Sequence, residues 1–356
     1  MESIVTEHSA IYFNEAGYTA LNKHLATKNY SKIFVLVDEN TNEHCFNDFT
    51  SMLHEDVVID NIFEIESGEE HKTIDTCVGI WEALSQQGAD RKSLLINLGG
   101  GVITDLGGFV AAAFKRGIDF INVPTSLLAM VDASVGGKTG VDLGVLKNQV
   151  GVVKLGKMVI IDTHFLSTLP EAHIRSGLAE MFKHGLIADA SYFEKMANIE
   201  DQENNDMDRL IYESVLIKHE VVTEDPEEQG LRKILNFGHT LGHAIESYFL
   251  DHPGRATLLH GEAIAIGMIM ETYLSHKILG FPENEMEAIK STLLAVYGQV
   301  DISDADRETI IDLLKYDKKN SHGNINFVLL EQMGVPKIDC QVENVLLHLA
   351  FDYYRS

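Results

Sequence analysis

Three sets of residues have the types and spacings of chemical machinery. The first lies in Arg232-Lys233-Ile234-Leu235-Asn236-Phe237-Gly238-His239-Thr240-Leu241-Gly242-His243-Ala244-Ile245-Glu246. Arg232, Asn236, His239 and His243 recur at three- and four-residue intervals, which puts a base, an amide and two imidazoles on one face of one helix. Gly238 and Gly242 beside that face permit close approach. The bland alternative is a pair of surface histidines on an amphipathic helix. His260, in His260-Gly261-Glu262, opens the apolar run Ala263 to Met270, and Glu180 sits among Ala, Leu, Met and Phe in Ser176 to Gly185. A polar group where the pattern turns apolar needs a partner. Two histidines and one carboxylate with an open position form a catalytic-zinc ligand set. Spacing alone leaves His239 and His243 as alternatives beside Glu180 and His260. The HExxH metalloprotease pattern is absent.

The second set is glycine-rich. The apolar run Leu94 to Leu98 breaks into Gly99-Gly100-Gly101 ahead of a helical segment, and such a turn can expose backbone N–H groups to a pyrophosphate. It is not the full GxGxxG fingerprint, and Asp119 falls in the wrong context for the acid that should follow. Asp38, closing an earlier apolar run, could hold a ribose hydroxyl. Tight packing turns are the competing explanation. The third set is basic: Arg116, Lys138, Lys147, Lys183, Lys218, Arg232, Lys318 and Lys319 all lie in or near glycine-rich or apolar motifs. Some of them can simply snorkel from helix faces. In a chain of net charge −26, a pocket lined by them would be a strong local exception.

That charge makes nucleic acid and anionic membranes poor partners for the surface, while a small anion in a cleft remains possible. The 356 residues suffice for two domains, and 45% hydrophobic with 23% charged content is that of a soluble globular protein. Three widely spaced cysteines, Cys45, Cys77 and Cys340, fit a reducing cytosol. The acidic, polar opening Met1-Glu2-Ser3 is not expected to be a signal peptide, and no apolar run reaches the length of a membrane span. The expected location is cytoplasmic.

The elements that must position these residues change halfway. Ala10 to Phe13 reads as an edge strand. Lys32 to Asp38, Val57 to Ile65, Leu94 to Leu98, Phe120 to Val123 and Met158 to Asp162 read as further strands, and Thr73 to Gln87 as a helix. Strands alternating with helices imply a Rossmann-like parallel sheet with ligands at the strands' carboxyl ends. Beyond the Asp162 to Pro170 region the patterns are helical: a helix after Pro170 carrying Ile174 to Leu186, then Met207 to Thr223, Leu231 to Leu250, Leu259 to Leu279, Glu283 to Tyr297, Asp304 to Lys315 and Glu343 to Tyr354. Ile325 to Leu330 interrupts them as a hairpin arm. The fold class is an α/β domain over 1–168 followed by a mostly α-helical domain over 169–356.

At these residues the chain strongly resembles the 3-dehydroquinate synthase family, within the sugar-phosphate cyclases. The matching stretches are Gly99 to Ala111, Val123 to Thr139, Gly177-Leu178-Ala179-Glu180, Leu235 to Glu246 and His260-Gly261-Glu262-Ala263. The resemblance implies an NAD-binding α/β domain, a helical metal- and substrate-binding domain, and an active site between them. It implies that Glu180, His239 and His260 hold zinc, or cobalt in its place, and that His243 faces substrate. It gives NAD to Asp38, Asn40, Glu69, Lys72, Gly100, Gly101, Val102, Asp105, Thr125, Ser126 and Thr168, with Lys138 and Lys147 alongside. Asp132, Lys138, Lys147, Asn148, Lys183, Lys218, Arg232 and Asn236 match substrate contacts, and one of Lys318 and Lys319 should reach a phosphate. Arg116 would serve a neighbouring subunit's site in a homodimer. The implied reaction converts 3-deoxy-D-arabino-heptulosonate 7-phosphate to 3-dehydroquinate and phosphate, in the shikimate pathway, with NAD oxidising and then reducing the substrate around a β-elimination and an aldol closure. The chain departs from the family at Asp142, usually Asn, at Pro226, usually Glu, and at Gly140, usually Ala. The alternatives are another sugar-phosphate cyclase, an NAD- and metal-dependent polyol dehydrogenase, or a non-enzymatic binding module.

Overall fold

The computed structural model describes residues 1–6, 9–144, 146–199, 207–252, 254–316 and 325–356. The backbone divides into two compact units, Met1–Pro170 and Glu171–Ser356. In the first unit the strands are β1 (Ile4–Val5), β2 (Ala10–Phe13), β3 (Ile33–Asp38), β4 (Asn61–Ile65), β5 (Leu94–Gly99), β6 (Asp119–Pro124), β7 (Lys138–Leu143), β8 (Leu146–Val153) and β9 (Met158–Ile161). Seven of them form one sheet in the order β1-β2-β9-β6-β5-β3-β4. All neighbours in it run parallel except β1 and β2. A run with no polar face can only be covered on both sides, and β5 is buried along its whole length.

Strand order reverses at β3. β4 adds on one side, while β5, β6 and β9 follow on the other. The carboxyl ends of β3 and β5, at Asp38 and Gly99, therefore flank a topological switch point, the place where open parallel sheets bind ligands. The helices here are α1 (Asn14–Thr27), α2 (Glu39–His44), α3 (Phe46–Ser51), α4 (Ile74–Gln86) and α5 (Gly101–Ala113). Leu106, Val110 and Phe109 of α5 pack with Cys77, Ile80 and Leu84 of α4 and with Phe34, Leu36 and Leu95 of the sheet in one core.

Two strand expectations are corrected. Ala10–Phe13 is not an edge strand: it lies between β9 and the two-residue β1, which takes the edge itself. The strand expected from Val57 begins only at Asn61. The β7–β8 hairpin, which packs on α5, went unread. Its second arm is largely solvent-exposed, including the apolar Val152 and Val153, so it carries no buried-exposed alternation to read.

The second unit is built from α6 (Glu171–Ala188), α7 (Ala190–Ala197), α8 (Met207–Glu224), α9 (His239–Asp251), α10 (His260–Leu279), α11 (Glu283–Tyr297), α12 (Asp304–Leu313) and α13 (Asn344–Arg355), with the antiparallel hairpin β10 (Phe327–Gln332) and β11 (Val335–Cys340). Helix α10 is apolar nearly all round and packs against α6, α9, α11, α13 and β10, the pattern of a central helix.

The single helix expected over Leu231 to Leu250 is also corrected. Leu231–Asn236 is a 3-10 turn, Gly238 is left-handed at φ 77°, and α9 starts at His239. The cause is non-local. A Cβ on Gly267 of α10 would collide with the backbone of Gly238 and Gly242, and one on Gly238 would strike Met268. The chain breaks where the two helices meet backbone to backbone, at a residue that takes φ > 0 without steric cost. The three cysteines are free and buried. Among the described residues no helix is long and apolar enough to cross a membrane.

The α9–α10 contact gives a test. Gly267→Ala should overpack the crossing and cost about 1–3 kcal/mol, read as a lower urea midpoint. An unchanged midpoint would show that the two helices are not held in direct backbone contact.

Candidate functional site

Helix α6 places Glu180 at zero exposure. Its Oε2 pairs with Lys183, one turn on. Its Oε1 has no hydrogen-bond partner among the described residues. That oxygen lies 3.5 Å from His239 Nε2 and 3.8 Å from His260 Nε2. The donor nitrogens of His239, His243 and His260 fall within 4.8 Å of one another. A buried anionic oxygen without a donor, facing a cluster of imidazole nitrogens, is the surrounding a divalent cation needs. The Nδ1 of His239 is 3.1 Å from the Phe237 carbonyl, which can only accept. That nitrogen therefore carries a proton, and Nε2 is the ring nitrogen turned toward Glu180. Burial works against a charged His260, but the Glu246 and Glu180 carboxylates outweigh it and push its pKa up to about 10. The field at this ring thus strongly favours a positive charge.

Three backbone docks set the register. The Gly261 N–H donates to Ser176 Oγ at 2.9 Å, one turn before Glu180, so α10 starts in step with α6. The Leu259 N–H donates to Glu262 Oε2 at 2.8 Å, which caps α10 just ahead of His260. Helix α9 has no side-chain cap of its own. Glu271, fully buried on α10, supplies one: it accepts the Gly238 N–H at 2.6 Å and the Leu241 N–H at 3.2 Å.

Lys183, Lys218 and Arg232 are each buried, on α6, on α8 and in the turn Leu231–Asn236. These three elements pack against one another, which concentrates positive charge inside an acidic chain. Arg232 donates to the Pro226 carbonyl at 2.7 Å. The Asp225 carboxylate accepts from the backbone of Gly230, Gln229 and Arg232, and these bonds hold it below the usual carboxylate range. Asn236 donates to Glu228 Oε1 at 2.9 Å. The helix break parts Arg232 and Asn236 from the helix that carries His239 and His243.

In the first unit, Gly100 is the N-cap of α5 and offers no side-chain cap, so the helix start presents backbone N–H groups at the switch point. Gly101, Val102 and Asp105 lie in its first turns. The Thr125 N–H donates to the Gly99 carbonyl at 3.0 Å, tying the ends of β5 and β6, and a Cβ on Gly100 would meet Ser126 Oγ. Asp38 caps α2 through the Thr41 N–H at 2.8 Å, and Asn40 lies in the first turn of that helix. Thr168 and Thr125 both reach the Cys45 thiol, which burial pushes up to about 11 with the Asp38 charge contributing. Asp38, Thr125 and Thr168 thus share one neighbourhood.

Glu69, Lys72, Asp105, Lys147 and Asn148 come together as an ion network. The buried Lys72 Nζ donates to Asp105 Oδ2 and Asn148 Oδ1, each at 2.7 Å, with Glu69 3.7 Å away. Lys147 reaches Glu69 at 3.0 Å. Asp142 accepts the Asn148 N–H at 2.6 Å and lies 3.9 Å from Lys147. Asp132 sits in a π-turn over Ala129–Ala133, and Lys138 is exposed at the start of β7. Arg116 is exposed beyond the carboxyl end of α5, about 20 Å from the Gly100 turn by helix rise, and does not join this set. Lys318 and Lys319 lie outside the described residues.

Sequence reading missed Glu271 and gave Glu246 no role. The signal for Glu271 was the one used for Glu180, an acid inside an apolar stretch, here Ile269-Met270-Glu271. Glu271→Ala should leave two buried backbone donors unpaired and cost on the order of 3 kcal/mol. Thermal melting of the metal-free protein checks this, and an unaltered midpoint would overturn the capping role.

The chain matches the family profile described as 3-dehydroquinate synthase N-terminal over residues 62–176 and the one described as 3-dehydroquinate synthase C-terminal over 177–320. A 3-dehydroquinate synthase from Parabacteroides distasonis is 43% identical over 341 residues, 94% of this chain and 95% of that one. Another from Dictyoglomus thermophilum is 40% identical over 92% of this chain and 90% of that one. Among solved structures, 2-deoxy-scyllo-inosose synthase complexed with carbaglucose-6-phosphate, NAD+ and Co2+ superimposes with a TM-score of 0.81 at 25% identity, covering 98% of this chain and 96% of that one. With both profiles matched in series and such identity over nearly the whole length, the chain belongs to the 3-dehydroquinate synthase family.

Proposed function

We propose that this protein is a cytoplasmic, homodimeric 3-dehydroquinate synthase of the shikimate pathway, using NAD and zinc to turn 3-deoxy-D-arabino-heptulosonate 7-phosphate into 3-dehydroquinate and phosphate. Membership of the family and the convergence of the Glu180 oxygen on the His239 and His260 nitrogens support this reading most strongly. Glu180, His239 and His260 would hold the metal, and the donor set of one carboxylate and two imidazoles suits zinc or cobalt. A bound divalent cation supplies Lewis acidity at a substrate hydroxyl. The uncapped start of α5 with Gly100, Gly101, Val102 and Asp105, together with Asp38, Asn40, Glu69, Lys72, Thr125, Ser126, Lys138, Lys147 and Thr168, would hold NAD. Bound NAD supplies a hydride acceptor that is regenerated within the turnover.

The protein's own residues position charge and move protons. Lys183, Lys218 and Arg232, already desolvated, meet a phosphorylated sugar acid without further reorganisation. Asn148, Lys138 and one of Lys318 and Lys319 add to the phosphate contacts, and Arg116 would serve the neighbouring subunit. Asn236, steadied by Glu228, orients a reacting hydroxyl, with Asp132 as a further contact. His243 lies one helical turn from His239, with ring centroids 5.1 Å apart, and takes up and returns the proton of that hydroxyl.

Phosphate release from the heptulosonate phosphate, with NAD in catalytic amount and with or without a chelator, tests the reading. Release should depend on metal and proceed without net NADH. Steady NADH formation from a simple polyol, with no phosphate released, would instead identify a dehydrogenase. Glu180→Ala should lose bound metal and turnover together. His243→Ala should keep the metal and lower kcat by about 10²–10⁴-fold, the span of a general acid–base group. Full turnover by either variant would overturn its assigned role.

A further inference from the structure

Glu246 closes the motif that carries His239 and His243, yet none of the chemistry above uses it. It follows them on α9, seven residues after His239 and three after His243, so all three share one face. The residue is 8% exposed, and a carboxylate that far from water needs a donor. His260, at the first position of α10, meets it: Nδ1 lies 3.2 Å from Glu246 Oε2. The other nitrogen of the same ring, Nε2, is the one 3.8 Å from Glu180.

We propose that Glu246 is a positioning residue for the metal site, receiving the Nδ1–H of His260 so that ring rotation and tautomer are fixed with Nε2 turned toward Glu180 and His239. Ligating histidines commonly give their second N–H to a carboxylate, which both orients the ring and raises its donor strength. Here the orienting group comes from the helix that already carries His239. One rigid helix therefore sets two of the three proposed ligands, one directly and one by way of Glu246. This rests on the reading that Glu180, His239 and His260 hold a divalent cation.

Titration of metal-free protein with Co2+, followed by visible absorption, separates the two claims. Wild type should bind, and Glu180→Ala should not. Glu246→Ala should bind about 10–100-fold more weakly, the usual loss when such a partner is removed, with altered visible bands because the His260 ring is free to turn. Glu246→Gln keeps an acceptor oxygen without the charge, so it should recover the wild-type bands and most of the affinity. If the alanine variant does not fold, as judged by circular dichroism of the metal-free form, the glutamine variant decides: a few-fold weaker affinity with preserved bands supports the role. Wild-type affinity and bands in every folded Glu246 variant, with Glu180→Ala still inactive in binding, would overturn the role of Glu246 and leave the cation site standing. Failure of wild type to bind cobalt would overturn both.

Discussion

A carboxylate sealed from water has to be answered by positive charge, and Glu180 imposes that demand on three helices at once. Lys183 answers one of its oxygens from the next turn of α6. The other faces imidazoles delivered by α9 and α10. Charge alone does not bring three helices into register to within an ångström. Backbone does: Gly261 donates to Ser176, Gly238 and Leu241 donate to Glu271, and Gly267 lets α9 and α10 meet without side chains between them. The cluster is thus placed by hydrogen bonds and glycines that are not themselves members of it.

The net charge of −26 and the chemistry of an anionic substrate are compatible because charge is partitioned by depth. Lys183, Lys218 and Arg232 are buried on elements that pack together, whereas many carboxylates are left in solvent. Desolvation makes those cations cost more and act more strongly on any charge that comes near them. In the first unit the same economy of scale appears in a different form: the α5 start offers backbone dipoles, and lysines are neutralised in a local network with Glu69, Asp105 and Asp142.

Much of this was legible in the residues. Continuous apolar runs gave the inner strands, and helical spacing gave α4, α8, α11 and α13 to within a residue or two at either end. Glu180 and His260 stand out in the sequence as polar groups in apolar stretches that each need a partner, and the structure sets Lys183 beside the one and Glu246 beside the other. What escaped depends on contacts distant in sequence. The pattern from Leu231 to Leu250 has apolar residues at helical intervals on both sides of Gly238, and only the crossing with α10 breaks it. The β7–β8 hairpin has apolar residues facing solvent, which periodicity cannot distinguish from a loop. Spacing left His239 and His243 interchangeable, since both lie on one face of α9. The family resemblance, not periodicity, made the choice between them.

Lys72 has a consequence beyond its own site. A single ammonium, 4% exposed, fastens Asp105 of α5 to Asn148 of the hairpin. A molecule that draws Asn148 away strips a desolvated cation of one partner and tightens its hold on the other, and the same is true in reverse for Asp105. Any binding at the helix and any binding at the hairpin would thereby be thermodynamically linked, and linkage is reciprocal: whatever a first ligand did to the affinity for a second, the second would do equally to the first.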